Sequence, residues 1–173
     1  NAGQLKGEEK RLLETTYKSF VRNGALLSPE KKEQLRAIDQ RLAALVPDYS
    51  QNVLKATNKF ELYVSDEKEL DGLPANAIEG AKMGAEAKGQ KGKWLFTLQF
   101  PSYIPFLTYG KNRALREKLW RAYASKAFQD EFDNQNNVLQ ILEMRERRAQ
   151  LLGYPNHASF VLEERMAKEP NKV

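Results

Sequence analysis

Residues at helical spacing open the chain and predict two helices. The first stripe predicts an amphipathic helix over about residues 5–22, which Asn23-Gly24 would end because glycine readily adopts the left-handed conformation. Ser28-Pro29 is typical of a helix start, and the second stripe extends a helix to about residue 58. The short connector predicts an antiparallel helical hairpin. The stripe positions are Leu12, Leu13, Thr16, Tyr17, Phe20 and Val21, then Leu35, Ile38, Leu42, Leu45, Tyr49 and Val53.

Pro47 lies inside the second stripe. A proline within a helix removes one hydrogen bond and clashes with the preceding turn, at a cost of about 3 kcal/mol. We expect a kink at Pro47, with the helix resuming at Asp48. The alternative is a complete break into two helices.

An alternating aromatic pattern predicts a small β-ribbon in the middle of the chain. Trp94, Phe96 and Leu98 alternate with residues that also fit a pleated surface, and residues 60–64 (FELYV) are the simplest antiparallel partner. Pro101 and Pro105 follow closely. Because proline cannot donate to a sheet, we expect the strand to stop at a double-proline turn.

The remaining pattern is helical and interrupted by turns. We expect a turn at 71–74 (DGLP), a weaker helix over 75–88, a loop at 89–92, and helices over 111–126, 135–152 and about 157–167, with Gly153 capping the second-last. The predicted fold class is mainly α: a helical hairpin and bundle with a small two-stranded antiparallel β-ribbon. With no repeat and no linker, residues 1–173 are interpreted as one continuous piece.

Composition narrows the class of protein without giving its function. The chain has 173 residues, is 41% hydrophobic and 29% charged, and carries no apolar run near the roughly 20 residues of a membrane span. A net charge of +5 permits nucleic-acid binding without indicating it. Asn1-Ala2 is interpreted as the remnant of a cleaved expression tag, and we expect the chain to be a piece of a longer protein.

No catalytic constellation is recognisable. His157 is the single histidine and there is no cysteine, so the chain cannot supply the three ligands of a catalytic zinc; His157 itself is interpreted as a surface or capping residue. Ser102 has no surrounding G-x-S-x-G elbow. Glu163 and Glu164 are adjacent, so we expect them to point to different sides of a helix and to form a poor acid/base pair. We therefore predict no catalytic and no metal-binding residue here, and substrate-binding residues stay unassigned.

Two basic stretches are interpreted as solvated surface. The segment 89–93 (GQKGK) lacks the phosphate-loop pattern and precedes a strand instead of a helix. In the second stretch the charges lie opposite the apolar stripe of the 111–126 helix, which is typical of an exposed helix face. Its members are Lys111, Arg113, Arg116, Lys118 and Arg121, with Trp120 and Tyr123 nearby.

Eight segments together resemble the thimet-oligopeptidase family of zinc metallopeptidases, including bacterial peptidyl-dipeptidases and oligopeptidase A. The run Arg22 to Leu27 is more similar to the peptidyl-dipeptidases. The segments are FVRNGALL (20–27), YSQNVLKAT (49–57), LDGLP (70–74), PSYIPFLTY (101–109), NRALRE (112–117), RAY (121–123), LLGYPN (151–156) and ERMA (164–167).

The resemblance implies a mostly helical, cytoplasmic peptidase several times this length, in which two helical halves flank a channel for short peptides. It implies zinc in the parent enzyme, held by an H-E-x-x-H helix and a glutamate downstream of residues 1–173, and none held by this piece. We expect the piece to line the channel wall without nucleic-acid or membrane partners, and to be able to dimerise through exposed apolar surface. The alternative is a stand-alone helical module whose basic helix binds an acidic or nucleic-acid partner.

Overall fold

A computed structural model describes residues 5–173, so the interpretation of Asn1-Ala2 as a tag remnant lies outside the described residues. The chain divides into two compact units. The first unit contains the residues up to Pro47 together with Asn137–Val173, and the second contains Asp48–Asn136. The expectation of one continuous piece of a larger peptidase stays a prediction.

Helices dominate the described residues, which confirms the predicted mainly α class. The two strands are β1 (Leu62–Val64) and β2 (Trp94–Phe96), and short 3-10 turns occupy Glu67–Leu70 and Pro170–Lys172. The α-helices within residues 5–173 are α1 (Gly7–Arg22), α2 (Pro29–Lys59), α3 (Ala75–Ala87), α4 (Phe100–Tyr109), α5 (Arg113–Ala124), α6 (Gln135–Leu151) and α7 (His157–Leu162).

In the first unit, α1 forms where the pattern predicts it but buries none of its residues. Two glutamates in its first turn complement the helix dipole, and the chain leaves the helix through Gly24 at φ 93°. A Cβ on Gly24 would lie 2.7 Å from a methyl group of Leu35, so a side chain at this turn would collide with α2. The buried apolar side chains of the unit, among residues 5–173, come from α2 and α6 and are Leu35, Leu45, Ile141 and Ala149.

The helix α2 runs through Pro47 as one continuous element, so the alternative of a complete break is wrong. The apolar stripe continues on both sides of the proline, with Leu45 and Ala56 buried, and this burial offsets the single hydrogen bond that proline removes. The predicted kink at Pro47 stays a prediction.

In the second unit, β1 and β2 pair antiparallel as the alternation predicts. Leu62 lies opposite Phe96, Tyr63 opposite Leu95 and Val64 opposite Trp94. A two-stranded ribbon is marginal alone, and here it packs against α3 and a core closed by α4 and α5. The most deeply buried side chains of that core are Val64, Leu70, Phe96, Phe106 and Leu119.

The double-proline turn is wrong, because the residues after β2 form the helix α4. Pro101 occupies the first turn, where a backbone N–H has no intrahelical partner to lose. Pro105 lies inside the helix and removes only the bond to the carbonyl four residues earlier. Burial of Tyr103 and Phe106 on the inner face of α4 stabilises the helix in spite of that loss.

The last helix is shorter than predicted. It ends at Leu162, and residues 163–167 are in turns and a bend. None of the helices in residues 5–173 combines the length and the apolar character that a membrane-crossing helix requires.

Candidate functional site

Arg22, the last residue of α1, lies at the centre of a polar cluster in the first unit. Its side chain is only 11% exposed; Nε lies 2.9 Å from Oε2 of Glu163, and Nη1 lies 3.1 Å from Oε2 of Glu164. Nη2 donates to the backbone carbonyl of Phe160, and the guanidinium lies 4.4 Å from the centre of the Phe160 ring. One guanidinium therefore joins the end of α1 to α7 and to the turn after it.

Tyr154 completes this cluster. Its hydroxyl donates to Oε2 of Glu163 over 2.5 Å and accepts from Nε of Arg22 over 3.3 Å. Burial, followed by the hydrogen bond to Glu163, raises the pKa of Tyr154. The hydrogen bond from Tyr154, together with the one from Arg22, lowers the pKa of Glu163, so this carboxylate is held in its charged form.

The expectation that Glu163 and Glu164 point apart is wrong. Because α7 ends at Leu162, both residues lie in a turn, and both carboxylates converge on Arg22. Lys18, one helical turn earlier on α1, also lies within 4 Å of both, at 3.6 Å and 3.8 Å. Both carboxylates are paired with the two cations Arg22 and Lys18. Their role in this Arg22 cluster (Lys18, Arg22, Tyr154, Glu163 and Glu164) is therefore structural, and they do not form an acid/base pair.

His157 is the first residue of α7, and the N-cap of this helix is the preceding residue, Asn156. The side chain of Asn156 accepts from the backbone N–H of Ser159, and the backbone N–H of His157 donates to Glu146. Burial, then the charges of Arg145 and Arg148, lower the pKa of the imidazole. A neutral, half-buried ring stacked toward Phe160 is consistent with a structural role.

The second unit contains an open cavity of about 560 Å³ that no sequence motif predicted. Apolar side chains form much of its wall, and charged side chains lie beside them. The lining residues are Ala56, Lys59, Phe60, Glu61, Leu98, Ala122, Ser125, Lys126, Phe128, Gln129, Asp130, Glu131 and Phe132.

One side of this cavity is a tightly bonded loop between α5 and α6. Asp130 accepts from the backbone N–H groups of Ala127 and Phe132, at 3.0 Å and 2.8 Å. The N–H of Asn134 donates to the carbonyl of Ala127, and the buried Asn134 side chain donates to the carbonyl of Tyr49. Ala127 and Gln129 are held at φ 54° and 55°, in the left-handed region that side chains disfavour.

The two basic stretches behave as solvated or internally paired surface. On and before α5, Lys111 pairs with Asp71 at 3.1 Å, Arg116 donates to the carbonyl of Gly110, and Arg121 pairs with Glu117 at 2.8 Å. In the 89–93 loop, Lys93 donates to Gln90. Of these side chains, Lys111 and Arg121 are thus paired with carboxylates, whereas Arg116 and Lys93 bond to neutral groups.

Ser102 has a local structural partner. Its hydroxyl accepts from the backbone N–H of Thr97 over 3.0 Å, which fixes the turn between β2 and α4. Among residues 5–173, no group of three or more histidine, cysteine, aspartate or glutamate side chains is arranged to hold a metal ion.

Two features escaped the sequence patterns for identifiable reasons. The cavity loop falls between two predicted helices, and only Asp130, Asp133 and Asn134, short polar residues typical of side-chain-capped turns, mark it. The Arg22 cluster joins residues more than 130 positions apart, which no local spacing can reveal.

Comparison with known proteins relates the chain to peptidases. Residues 106–173 match Peptidase family M3. A probable cytosolic oligopeptidase A of Arabidopsis thaliana is 41% identical over 169 residues, which are 94% of this chain and 24% of that protein. The chain is a relative of the M3 oligopeptidases. Oligopeptidase A of Haemophilus influenzae is 39% identical over 95% of this chain and 25% of its own length.

Dipeptidyl carboxypeptidase of Escherichia coli is 32% identical over 96% of this chain and 24% of its own length. Both branches expected from the sequence are therefore represented. Over the whole span the chain is more identical to these oligopeptidase A sequences than to that carboxypeptidase. The overall identity therefore does not favour the greater similarity to peptidyl-dipeptidases that residues 22–27 indicate. The chain spans about a quarter of the length of the curated relatives it matches.

Proposed function

We propose that this chain is part of a zinc-dependent oligopeptidase or peptidyl-dipeptidase that hydrolyses short peptides in the cytoplasm. Within that enzyme the chain contributes to the wall of the substrate channel and supplies no catalytic group. The observation that carries the proposal is the 41% identity to an oligopeptidase A along 94% of this chain, which corresponds to only 24% of that relative. The Arabidopsis thaliana relative is described as a probable cytosolic oligopeptidase A, which supports the cytoplasm as the proposed compartment.

The residues of the chain do not fit a catalytic zinc. Such a site takes about three protein ligands, usually including two or more histidines or cysteines. This sequence has one histidine and no cysteine, and Glu163 and Glu164 are already paired with Arg22 and Lys18. Zinc would activate a water molecule for attack on the peptide bond, and we assign its ligands to polypeptide outside these residues.

The exposed apolar face of α1 supports a role as one part of a larger assembly. Leu12, Tyr17 and Phe20 are between 62% and 69% exposed and share one side of a helix that buries nothing in this chain. A contiguous apolar face of this kind is typical of an interaction surface. In the proposed enzyme it packs against the remaining polypeptide, and in the isolated chain it is exposed and able to pair with a second copy.

The test compares the 173-residue chain with a protein that continues through the downstream gene sequence. Zinc content after dialysis and cleavage of a short fluorogenic peptide are measured for both. The proposal expects a downstream H-E-x-x-H motif, with bound zinc and cleavage in the longer protein and neither in the 173-residue chain. Tightly bound zinc or peptide turnover in the 173-residue chain would contradict it. Strong, salt-dependent nucleic-acid binding would instead favour the stand-alone helical module.

A further inference from the structure

We propose that the cavity of the second unit binds a carboxylate attached to an aromatic or branched apolar body, with the Lys126 ammonium group as its ionic partner. The cavity's volume of about 560 Å³ falls in the range of small-molecule sites. No residue of the cavity has a role in the proposed hydrolysis, so the inference goes beyond the proposed function.

The charges that line the cavity leave one cation without an anionic partner. Glu61 pairs with Lys88 at 2.8 Å, and Glu131 pairs with Lys59. Both carboxylate oxygens of Asp130 accept backbone N–H groups of the loop. Within residues 5–173, Lys126 has no carboxylate within ion-pair distance. The lining as a whole is not positive, because Asp130 keeps its negative charge while it accepts these N–H groups. The preference for an anion is therefore local: a carboxylate in the cavity would pair with the Lys126 ammonium group.

The ammonium group of Lys126 is held in place before any ligand arrives. Nζ lies 3.6 Å from the centre of the Tyr123 ring, a cation–π contact. Tyr123 stacks in turn on the buried Tyr103, with ring centres 4.3 Å apart. Because this stack orients the lysine, binding an anion costs less side-chain entropy than it would at a free surface lysine.

The apolar part of the wall defines the other half of the ligand. Leu98 is buried at its base, Phe60 is half-buried against the core, and Phe132 is half-buried in the loop. Phe128 remains 49% exposed although it lines the cavity, so an aromatic or branched body resting on it would remove apolar surface from water. The bonded loop at residues 125–134 holds these rings in position.

Within the proposed peptidase, the natural source of such a ligand is the C-terminal residue of a short peptide with an apolar side chain. This identification rests on the proposed function, whereas the binding itself does not. A free aromatic acid presents the same chemistry, and the two sources are separated by experiment.

Binding is measured by ¹H–¹⁵N NMR titration of the 173-residue chain with N-acetyl-phenylalanine and with its C-terminal amide. We expect the acid to shift backbone signals of residues 56–61 and 122–132, with a dissociation constant on the order of millimolar, as its size permits. We expect the amide to bind about fivefold more weakly, because it lacks the charge that meets Lys126. Equal binding of acid and amide, or shifts confined to other residues, would overturn the proposal.

Matched variants locate the two contacts. Lys126→Gln should weaken the acid about fivefold and leave the amide unchanged, while Lys118→Gln, which changes an exposed lysine on the neighbouring helix α5, should change neither. Phe128→Ala should weaken both ligands, and Phe100→Ala, which changes a more exposed phenylalanine outside the cavity, should weaken neither. Circular dichroism spectra matching the parent confirm that each variant is folded. Unchanged binding in both Lys126→Gln and Phe128→Ala would contradict the assignment.

The dipeptide Ala-Phe and phenylacetate separate a peptide end from a free acid. Tighter binding of Ala-Phe identifies the peptide C terminus as the ligand, and tighter binding of phenylacetate identifies a free aromatic acid; either result supports the carboxylate site. Binding of neither overturns it. Because these titrations require no zinc and no cleavage, their failure would leave the peptidase proposal standing, and failure of the cleavage test would leave the cavity site standing.

Discussion

In the second unit Phe96 and Phe106 meet edge to face, 4.6 Å between ring centres, and both are buried. In the first unit Phe20 belongs to the apolar stripe of α1 and is 64% exposed. An amphipathic pattern thus shows that a face is suited to burial, but it does not show what covers that face. The second unit buries its own apolar core, whereas the apolar face of α1 stays exposed among residues 5–173.

The two units also differ in what fixes their elements together. The ribbon, α3, α4 and α5 share a continuous apolar cluster. In the first unit, the end of α1 is attached to α7 and the following turn through Arg22, Tyr154 and Glu163, that is, through charged and polar contacts. Apolar burial supplies most folding free energy, and so the second unit should be the more stable of the two.

The largest expected effect separates two phenylalanines. Phe106→Ala should lower the free energy of unfolding by about 3–5 kcal/mol, since it removes a fully buried ring from the core. The exposed Phe20→Ala should change it by no more than about 0.5 kcal/mol. Urea denaturation followed by circular dichroism measures both. Similar losses in the two variants would show that α1 is buried in solution and that the contrast between the units is wrong.

A smaller loss of stability is expected when the Arg22 cluster is disrupted. Arg22→Ala removes two ion pairs, a bond to a backbone carbonyl and a ring contact from a mostly buried site. The loss should be about 2 kcal/mol, limited because Glu163 and Glu164 can be rehydrated. Arg36→Ala breaks an exposed pair with Glu33 and should cost at most about 0.5 kcal/mol. Equal thermal stability of the two variants would show that the contacts of Arg22 do not stabilise the first unit.

The smallest effect is a pH dependence at Glu163, whose pKa is lowered by Tyr154 and Arg22. A carboxylate with a lowered folded-state pKa contributes stability above its unfolded-state pKa, at about 4.3, and loses it as the pH falls through the folded-state value. The melting temperature of Glu163→Gln should therefore lie below that of the parent at pH 7, and the gap should close below pH of about 4. The control Glu33→Gln should show little gap at either pH. If the difference in melting temperature between Glu163→Gln and the parent stayed constant with pH, the charged form of Glu163 would not stabilise the Arg22 cluster.

Local chemistry predicted the elements well and their ends less well. The antiparallel pairing of β1 with β2 follows from the alternation around Trp94, and the continuity of α2 follows from a stripe that extends beyond Pro47. Pro101 and Pro105 led to the wrong prediction of a turn, because the effect of a proline depends on its position within a helix. Pro101 falls in the first turn, where no backbone donor is needed, and burial of Phe106 outweighs the hydrogen bond that Pro105 removes.

The candidate sites were far less predictable than the helices. Glu163 and Glu164 converge only because α7 ends at Leu162 and because Arg22 arrives from the other end of the chain. The cavity likewise combines α2, the two residues before β1, Leu98 after β2, α5 and a loop whose geometry depends on Asp130. Contacts between distant segments follow from the folded topology, and spacing along the sequence does not record them.

Amide hydrogen exchange on the 173-residue chain tests the contrast between the units most directly. We predict slow exchange in β1, β2, α4 and α5, and exchange in α1 that is faster by at least about a hundredfold, since α1 contributes no apolar side chain to a buried core. Protection of α1 equal to that of α4 and α5 would contradict it.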